Sequence, residues 1–359
     1  MSGLLVAAPL SLSGRYALQG RLAAAGLQQA IQDLRATGGV QLGDIRLVPD
    51  LLILDDGSTR DGVRRALDGL QRAHLLVGPY GTDLVEEAAG WAGERGRVLW
   101  NHGGSADDVQ RLPYVVSVAS PTSRYLAAVL EALAERLPGA RVMVAAGRGR
   151  FGLGVADGAR QAADRLGMTL LGPLRHRDVP DTPDADVLLA AGSFHEDIAF
   201  LGRLRTRPPV VAAVAAGLSR FGLELGGSSD GVLGPSQWEE GVHFHVDLGP
   251  RQADVVRALR ARVVPVLRAD RDGAQIDYPA AQAYAAGLVA LCCAERAGAL
   301  DDRALENAAA RLRCTTFYGR FGLGPDRVQI DHEILVVQWR DGVKRVVWPQ
   351  ARAEVALDV

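Results

Sequence analysis

Two five-residue stretches, Val142–Ala146 (Val-Met-Val-Ala-Ala) and Val187–Ala191 (Val-Leu-Leu-Ala-Ala), are apolar at every position. A strand buries both faces only at the centre of a sheet with helices on either side, so such runs call for parallel strands in an α/β architecture. They stand in a series: helix 122–136, strand 140–146, helix 152–166, strands 168–173 and 186–192, helix 195–205, strand 209–215. An earlier series runs in the same way. Its strands are expected at 3–7, 45–54, 74–78, 97–101 and 113–118, and its helices at 15–36, 58–73, 82–95 and 104–110. The break between the two series falls near Ala119–Pro121. Beyond residue 250 the pattern changes to three helices, 250–268, 278–297 and 301–313. A hairpin follows, in which Glu333–Arg340 pairs with Val343–Trp348 across Asp341-Gly342.

At 359 residues the chain is long enough for two domains. The net charge of −2 supplies no electrostatic argument for nucleic acid or an anionic membrane surface. Lys344 is the only lysine among 40 basic residues, and the arginines are scattered, which reads as coding bias and not as a guanidinium patch. No run of about 18 apolar residues would span a membrane. No charged segment with an apolar stretch and cleavage site precedes the first strand. Met1 stands just before that strand, which leaves two expectations: a cytoplasmic protein, or a periplasmic or cell-surface one whose leader has been removed. Cys292, Cys293 and Cys314 lack a disulfide framework or a zinc spacing and read as buried small residues.

Residues 3–14 run from an apolar strand through Pro9 into a loop with Ser11 and Ser13, and Gly14 leads into a long amphipathic segment. Strand, hydroxyl-rich loop and helix N-terminus in that order suit the mouth of a ligand cleft in an open α/β sheet. From this point the sequence resembles the type I periplasmic-binding-protein fold, specifically the branched-chain amino-acid (Leu/Ile/Val) binding family of ABC-transporter receptors. The resemblance rests on an ordered set over nearly the whole chain: Ala8–Gly14, Gly38-Gly39-Val40, Leu54-Asp55-Asp56 and Leu76-Val-Gly-Pro79. It continues with Arg150-Phe151-Gly152, Ala281–Gly287, Thr316–Gly319, Val336–Trp339 and Val347-Trp-Pro349. It implies two Rossmann-like lobes joined by a three-strand hinge, with crossings near 117–121, 247–251 and 327–331. The lobes would comprise 1–119 plus 251–328, and 120–250 plus 329–350, with 351–359 a frayed tail. The implied partners are a small carboxylate or amino acid in the cleft and an ABC permease, with no cofactor and no metal.

The loops agree with that implication. Strand 74–78 ends in Gly78-Pro-Tyr80-Gly81-Thr82, and strand 97–101 ends in Asn101-His-Gly103-Gly104-Ser105. Thr82 and Ser105 are each expected to start a helix, offering a hydroxyl and free N–H groups to a carboxylate; the bland alternative is that both are plain N-caps. Tyr80 and Trp100 would shape the site from the first lobe. From the second, the resemblance brings Phe151, Ser193 and Phe194, and the polar setting of Trp238 favours a cleft or rim over a core. Ser13 is a further contact. The resemblance also leads one to expect an acid after strand 209–215 to pair a ligand ammonium, yet the stretch reads Val211–Gly217 without one. Either Glu239, Glu240 or Asp277 substitutes, or the ligand is an aromatic or branched acid without an α-amine.

Other signals are weaker. Gly147–Gly152 fits a dinucleotide fingerprint, but the next strand, Met168–Leu174, has no acid for a ribose. His243, His245 and Asp247 alternate as metal ligands on a strand would, and read better as a solvated strand edge; Asp331-His332-Glu333 reads as hinge-strand surface. The alternatives to a transport receptor are a cytoplasmic ligand sensor on the same fold and, further off, an α/β enzyme such as a dehydrogenase.

Overall fold

The computed structural model describes residues 3–267 and 276–359, so the last residue of the helix expected over 250–268 lies outside the described residues. Two compact units form: Met1–Ser120 with His243–Glu333, and Pro121–Val242 with Ile334–Val359. The chain therefore passes between them three times. Against the expected boundaries, residues 120, 243–250 and 329–333 belong to the first unit. Hydrogen bonds explain this: the N–H groups of Asp247 and Leu248 donate to the Thr315 carbonyl at 2.9 and 3.1 Å. Likewise the Gln329 side chain donates to the Val118 carbonyl at 3.2 Å.

In chain order, the first unit begins β1 (Leu4–Leu10), α1 (Ala17–Ala36), β2 (Val40–Leu42), β3 (Ile45–Leu47), β4 (Pro49–Asp55), α2 (Arg60–Gly69) and β5 (Leu75–Val77). It continues with α3 (Thr82–Glu94), β6 (Leu99–Asn101), α4 (Asp107–Gln110) and β7 (Val115–Ser117). The expected strand 45–54 is in fact two strands, because Val40–Leu42 and Ile45–Leu47 form a hairpin of their own. The main sheet has the order β4-β1-β5-β6-β7, every pair parallel. Its order reverses at β1, with β4 on one side and β5 on the other. Ligands of open α/β sheets bind beyond the carboxyl edge at such a switch.

The second unit holds α5 (Tyr125–Leu133), β8 (Arg141–Ala146), α6 (Gly149–Arg165), β9 (Thr169–Arg175), β10 (Val187–Ala191), α7 (Phe194–Arg203) and β11 (Val210–Ala213). α8 (Arg220–Leu225) and β12 (Leu233–Ser236) follow. The chain then returns to the first unit for α9 (Gln252–Leu267), α10 (Tyr278–Ala297), α11 (Asp302–Arg311), β13 (Cys314–Thr316) and β14 (Gly319–Phe321). It ends in the second with β15 (Leu335–Arg340) and β16 (Val343–Trp348). The second sheet has the order β16-β15-β12-β11-β10-β8-β9. The two runs apolar at every position are β8 and β10, paired in parallel inside the sheet with β11 and β9 on their outer sides.

α10 packs along α1 because small residues let the backbones approach: a Cβ on Gly26 would meet the Ala280 carbonyl oxygen at 1.9 Å. The Tyr284 hydroxyl closes that contact by donating to Asp33 at 2.7 Å. At the hairpin, Asp341 and Gly342 both have positive φ, 52° and 75°, as a type I′ turn requires. Residues 351–359 are not frayed. The Glu354 N–H donates to the Val346 carbonyl at 2.8 Å, and Leu357 is buried in the core of the second unit. All three cysteines are buried and free.

The only lysine is buried. Lys344 Nζ lies 2.9 Å from Glu239 Oε1 and donates to the Gly217 carbonyl at 3.0 Å. A buried pair of this kind is costly to break from one side, since the remaining charge has no partner. Lys344→Met is therefore expected to destabilise the protein by about 3–5 kcal/mol, with the loss largely relieved in the Lys344→Met/Glu239→Leu double variant, as read by urea unfolding.

His332 is also buried, not on a hinge-strand surface. Its ring nitrogen Nδ1 is 2.8 Å from Ser120 Oγ, and the ring stacks on Tyr318 at 4.4 Å. Burial pushes its pKa down to about 4, and does the same to His102. Unfolding restores an ordinary histidine near pH 6.5, so the unfolded chain binds protons first as pH falls. Stability is thus full above pH 6.5 and is lost toward pH 4. Between pH 7.5 and 5 each histidine should cost about 2 kcal/mol in urea titrations.

Candidate functional site

At the carboxyl edge of the first sheet, the turn after β5 lies against the turn after β6. Tyr80 and Gly103 form a parallel bridge, and the Gly81 N–H donates to the Gly103 carbonyl at 3.1 Å. A Cβ on Gly103 would sit 2.5 Å from Tyr80 Cα, so only glycine permits this approach. Gly104 is similarly confined, by Val85 at 2.5 Å. Asn101 organises the second turn: its Oδ1 accepts from the N–H groups of Gly103 and Gly104 at 3.1 and 2.8 Å. Its Nδ2 donates to the Gly104 carbonyl and to Ser117 Oγ, both at 2.7 Å. Both glycine N–H groups are therefore spent inside the loop.

Ser105 is buried but does not start a helix. α4 is a single turn beginning at Asp107, with Ala106 at its N-cap. The Thr82 side differs. α3 runs 13 residues, its N-cap is Gly81 at φ 105°, and Thr82 is its first helical residue. Thr82 is thus not a plain N-cap. Among the described residues, nothing accepts from the N–H groups of Thr82 and Asp83, and its hydroxyl has no partner. Two free donors at the positive end of a helix dipole, with a hydroxyl beside them, suit an anion.

Tyr16 and Tyr80 flank this end, their rings edge-to-face at 5.9 Å. Tyr16 donates its hydroxyl to Asp83 at 3.2 Å, and Arg15 pairs with the same carboxylate. Ser13 is committed to Asp55, donating its hydroxyl at 2.6 Å. Burial pulls the Asp55 carboxyl up, but bonds from Ser13 and the N–H groups of Leu12, Ser13 and Gly57 outweigh it and hold the pKa below the ordinary value. Asp56 lies beneath, buried, accepting from Ser11 Oγ at 2.7 Å and the Ser58 N–H at 2.8 Å; burial pushes its pKa up.

In the second unit, Phe151 in the first turn of α6 and Phe194 at the start of α7 are half-buried at the carboxyl edges of β8 and β10. Phe151 packs edge-to-face on Tyr125 at 5.7 Å, whose hydroxyl accepts from Gln237 Nε2 at 2.7 Å. Ser193 closes a capping box with Glu196, which also accepts from the Arg148 N–H at 2.9 Å, so its hydroxyl serves the helix. Asp197 is fully buried behind this edge and accepts from the Ala215 N–H at 3.0 Å; burial drives its pKa well up. Trp238 is 1% exposed and belongs to the core, not to a rim, and Trp100 is fully buried in the first unit. Among the described residues no group of His, Cys, Asp and Glu could hold a metal, and residues 243–247 form no strand.

Residues 5–344 match the sequence profile of a periplasmic binding protein family. The chain belongs to this family. No curated protein matches it in sequence. Among solved structures it resembles the leucine-binding protein LivK of Thermotoga maritima, at TM-score 0.77 and 17% identity over 96% of this chain and 97% of that one. It also resembles the branched-chain amino-acid substrate-binding protein LivJ of Streptococcus pneumoniae in complex with isoleucine, at 0.76 and 16% over 97% and 100%. A third relative is an ABC-transporter solute-binding protein from R. palustris in complex with benzoate, at 0.72 and 16% over 99% and 98%. Identities this low establish the shared fold of two α/β lobes. This periplasmic binding protein keeps Tyr80, Gly81, Thr82, Gly103, Gly104 and Ser105 together at one edge of its first sheet.

Sequence reasoning passed over Asn101, Tyr16 and the Tyr125–Gln237 pair. Asn101 carried a readable signal, since Asn ahead of two glycines favours a side-chain-to-backbone turn. The other two depend on residues far apart in the chain. Asn101→Ala should destabilise the protein by about 3 kcal/mol in urea unfolding, because buried N–H groups lose their acceptor. Asn101→Asp should not rescue it, because a carboxylate oxygen would then face the Gly104 carbonyl in place of the Nδ2 donor at a fully buried position.

Proposed function

We propose that this periplasmic binding protein is the solute receptor of an ABC importer and holds a small carboxylate at the N-terminus of α3. The observation that carries the reading is the pair of free N–H groups at Thr82 and Asp83, beside the free Thr82 hydroxyl, next to the strand-order reversal. Tyr80 supplies an apolar wall in this reading, and Phe151 and Phe194 are the contacts assigned to the second unit. Closure on the ligand, with the closed form favoured by its tighter binding, would then present the receptor to a permease.

The ligand we infer lacks an α-amine. A buried ammonium needs a carboxylate partner, and without one it costs several kcal/mol. β11 leads into Val214–Gly217, which has no acid. Glu239 is neutralised by Lys344, and Glu240 and Asp277 have partners within the chain, although Glu240 Oε2 itself accepts no hydrogen bond. At the first edge Asp83 is paired with Arg15, Asp55 is filled by four donors, and Asp56 is buried beneath Ser11. An aromatic or branched acid fits this donor set, and the benzoate-bound relative shows that a protein of this fold takes such a ligand.

A thermal-shift panel of benzoates, branched-chain 2-oxo acids and the matching amino acids tests the reading, since a ligand stabilises the state that binds it. Carboxylates without an amine should raise the melting temperature and amino acids should not. Stabilisation by leucine or isoleucine with no response to desamino acids would sink the amine-free reading. Thr82→Val should weaken binding of the responding acid by about tenfold, the worth of one hydrogen bond to a charged group, with the melting temperature of the free protein nearly unchanged.

A further inference from the structure

The helix whose N-terminus offers donors to an anion also carries an acid of its own there. Asp83 is the second residue of α3, where a side-chain carboxylate gains from the positive helix end. That same end presents the open N–H groups of Thr82 and Asp83. Thr82 beside it is 7% exposed, and its hydroxyl has no partner among the described residues. Two anions at one helix end repel, so a bare Asp83 would act against a ligand carboxylate. Negative charge is already crowded nearby. Burial first, and the charges of Asp55 and Asp83 after it, push the Asp56 pKa up against the bonds from Ser11 and Ser58.

One guanidinium answers this charge. Arg15 pairs with Asp83 Oδ2, while Tyr16 donates its hydroxyl to Oδ1 at 3.2 Å. Arg15 is held in place, since its guanidinium carbon lies 4.6 Å from the centre of the Tyr16 ring. Tyr16 is fixed in turn. Its N–H donates to Ser58 Oγ at 3.0 Å, and Ser58 Oγ donates to the Ser13 carbonyl at 2.7 Å. The Tyr16 ring packs against the N-cap of α3, where a Cβ on Gly81 would meet Tyr16 Cε2 at 2.7 Å. The loop before α1 thus delivers a cation to the first turn of a helix 68 residues further along the chain. Among the described residues Asp83 has no other cation within ion-pair reach.

We propose that Arg15 is a positioning residue of the binding site: it neutralises Asp83 and thereby lets the N-terminus of α3 accept a ligand carboxylate. This role rests on the carboxylate reading of the site and adds a charge rule to it. Arg15 acts through Asp83 and does not itself hold the ligand. The side chains of Arg15 and Asp83 are 57% and 35% exposed, so the pair contributes little to stability. Its effect falls on the ligand instead. Like charges about 6 Å apart, at an effective dielectric of about 40, change an affinity about tenfold, and salt reduces this.

Calorimetric titration of the full chain with benzoate and with a branched-chain 2-oxo acid, at low salt, tests this. Arg15→Gln should weaken the acid that binds by about five- to tenfold, and Asp83→Asn should tighten it several-fold. The Arg15→Gln/Asp83→Asn double variant should return to within about twofold of the wild type, because the local charge is again balanced. The differences should shrink at about 1 M salt. A double variant as weak as Arg15→Gln overturns the proposal, since Arg15 would then hold the ligand itself or the loop's shape. An Arg15→Gln variant that binds like the wild type overturns it too. If Arg15→Gln does not fold, Asp83→Asn decides alone: unchanged or weaker binding rejects the charge rule. A wild-type chain that binds neither acid overturns the carboxylate reading and the role of Arg15 with it, whereas binding without this order of affinities overturns the role of Arg15 alone.

Discussion

The approach of the turn after β5 to the turn after β6 is the constraint on which the first unit's functional edge depends. Gly103 lies under Tyr80 with no room for a Cβ, and the Gly81 N–H is drawn to the Gly103 carbonyl. That bond leaves Gly81 at positive φ as the N-cap of α3. With no side chain at the cap, the first N–H groups of the helix stay open. A serine or aspartate there would have satisfied one of them and blunted the site. The close packing of two loops and the open N–H groups at the start of α3 are thus one arrangement, and Asn101 stabilises it by closing the second turn on itself.

The second unit is organised differently, around buried polar groups engaged with one another and with the backbone. Lys344 and Glu239 neutralise each other, Asp197 holds the β11 turn from behind, and Glu196 is shared between Ser193 and Arg148. What this unit offers at its edge is chiefly aromatic.

Much of the fold was legible in the residues. Two-sided apolar runs marked β8 and β10, the 3.6-residue period marked α10 to its ends, and Asp341-Gly342 marked the terminal hairpin. The β2–β3 hairpin was missed although Val40-Gln-Leu and Ile45-Arg-Leu alternate about Gly43-Asp44, because each strand is only three residues long. At the site, the glycines and hydroxyls of the two loops could be read, but their roles could not. Ser105 was expected to open a helix, but the loop continues to Ala106, and Asn101 takes up the Gly103 and Gly104 N–H groups. Trp238 sits among polar letters in the sequence, yet the strand it follows carries it into the core.

What the sequence determined by itself is the alternation of strand and helix, the parallel sheets and the family, because these follow from local periodicity and an ordered set of motifs. Only the tertiary structure decided which polar groups are spent. Whether Glu239 could meet a ligand depended on Lys344, 105 residues away in the chain. Whether His332 lay at a surface depended on Ser120, 212 residues away. Such pairings are set by strand order and burial, and the one-dimensional pattern does not encode them locally.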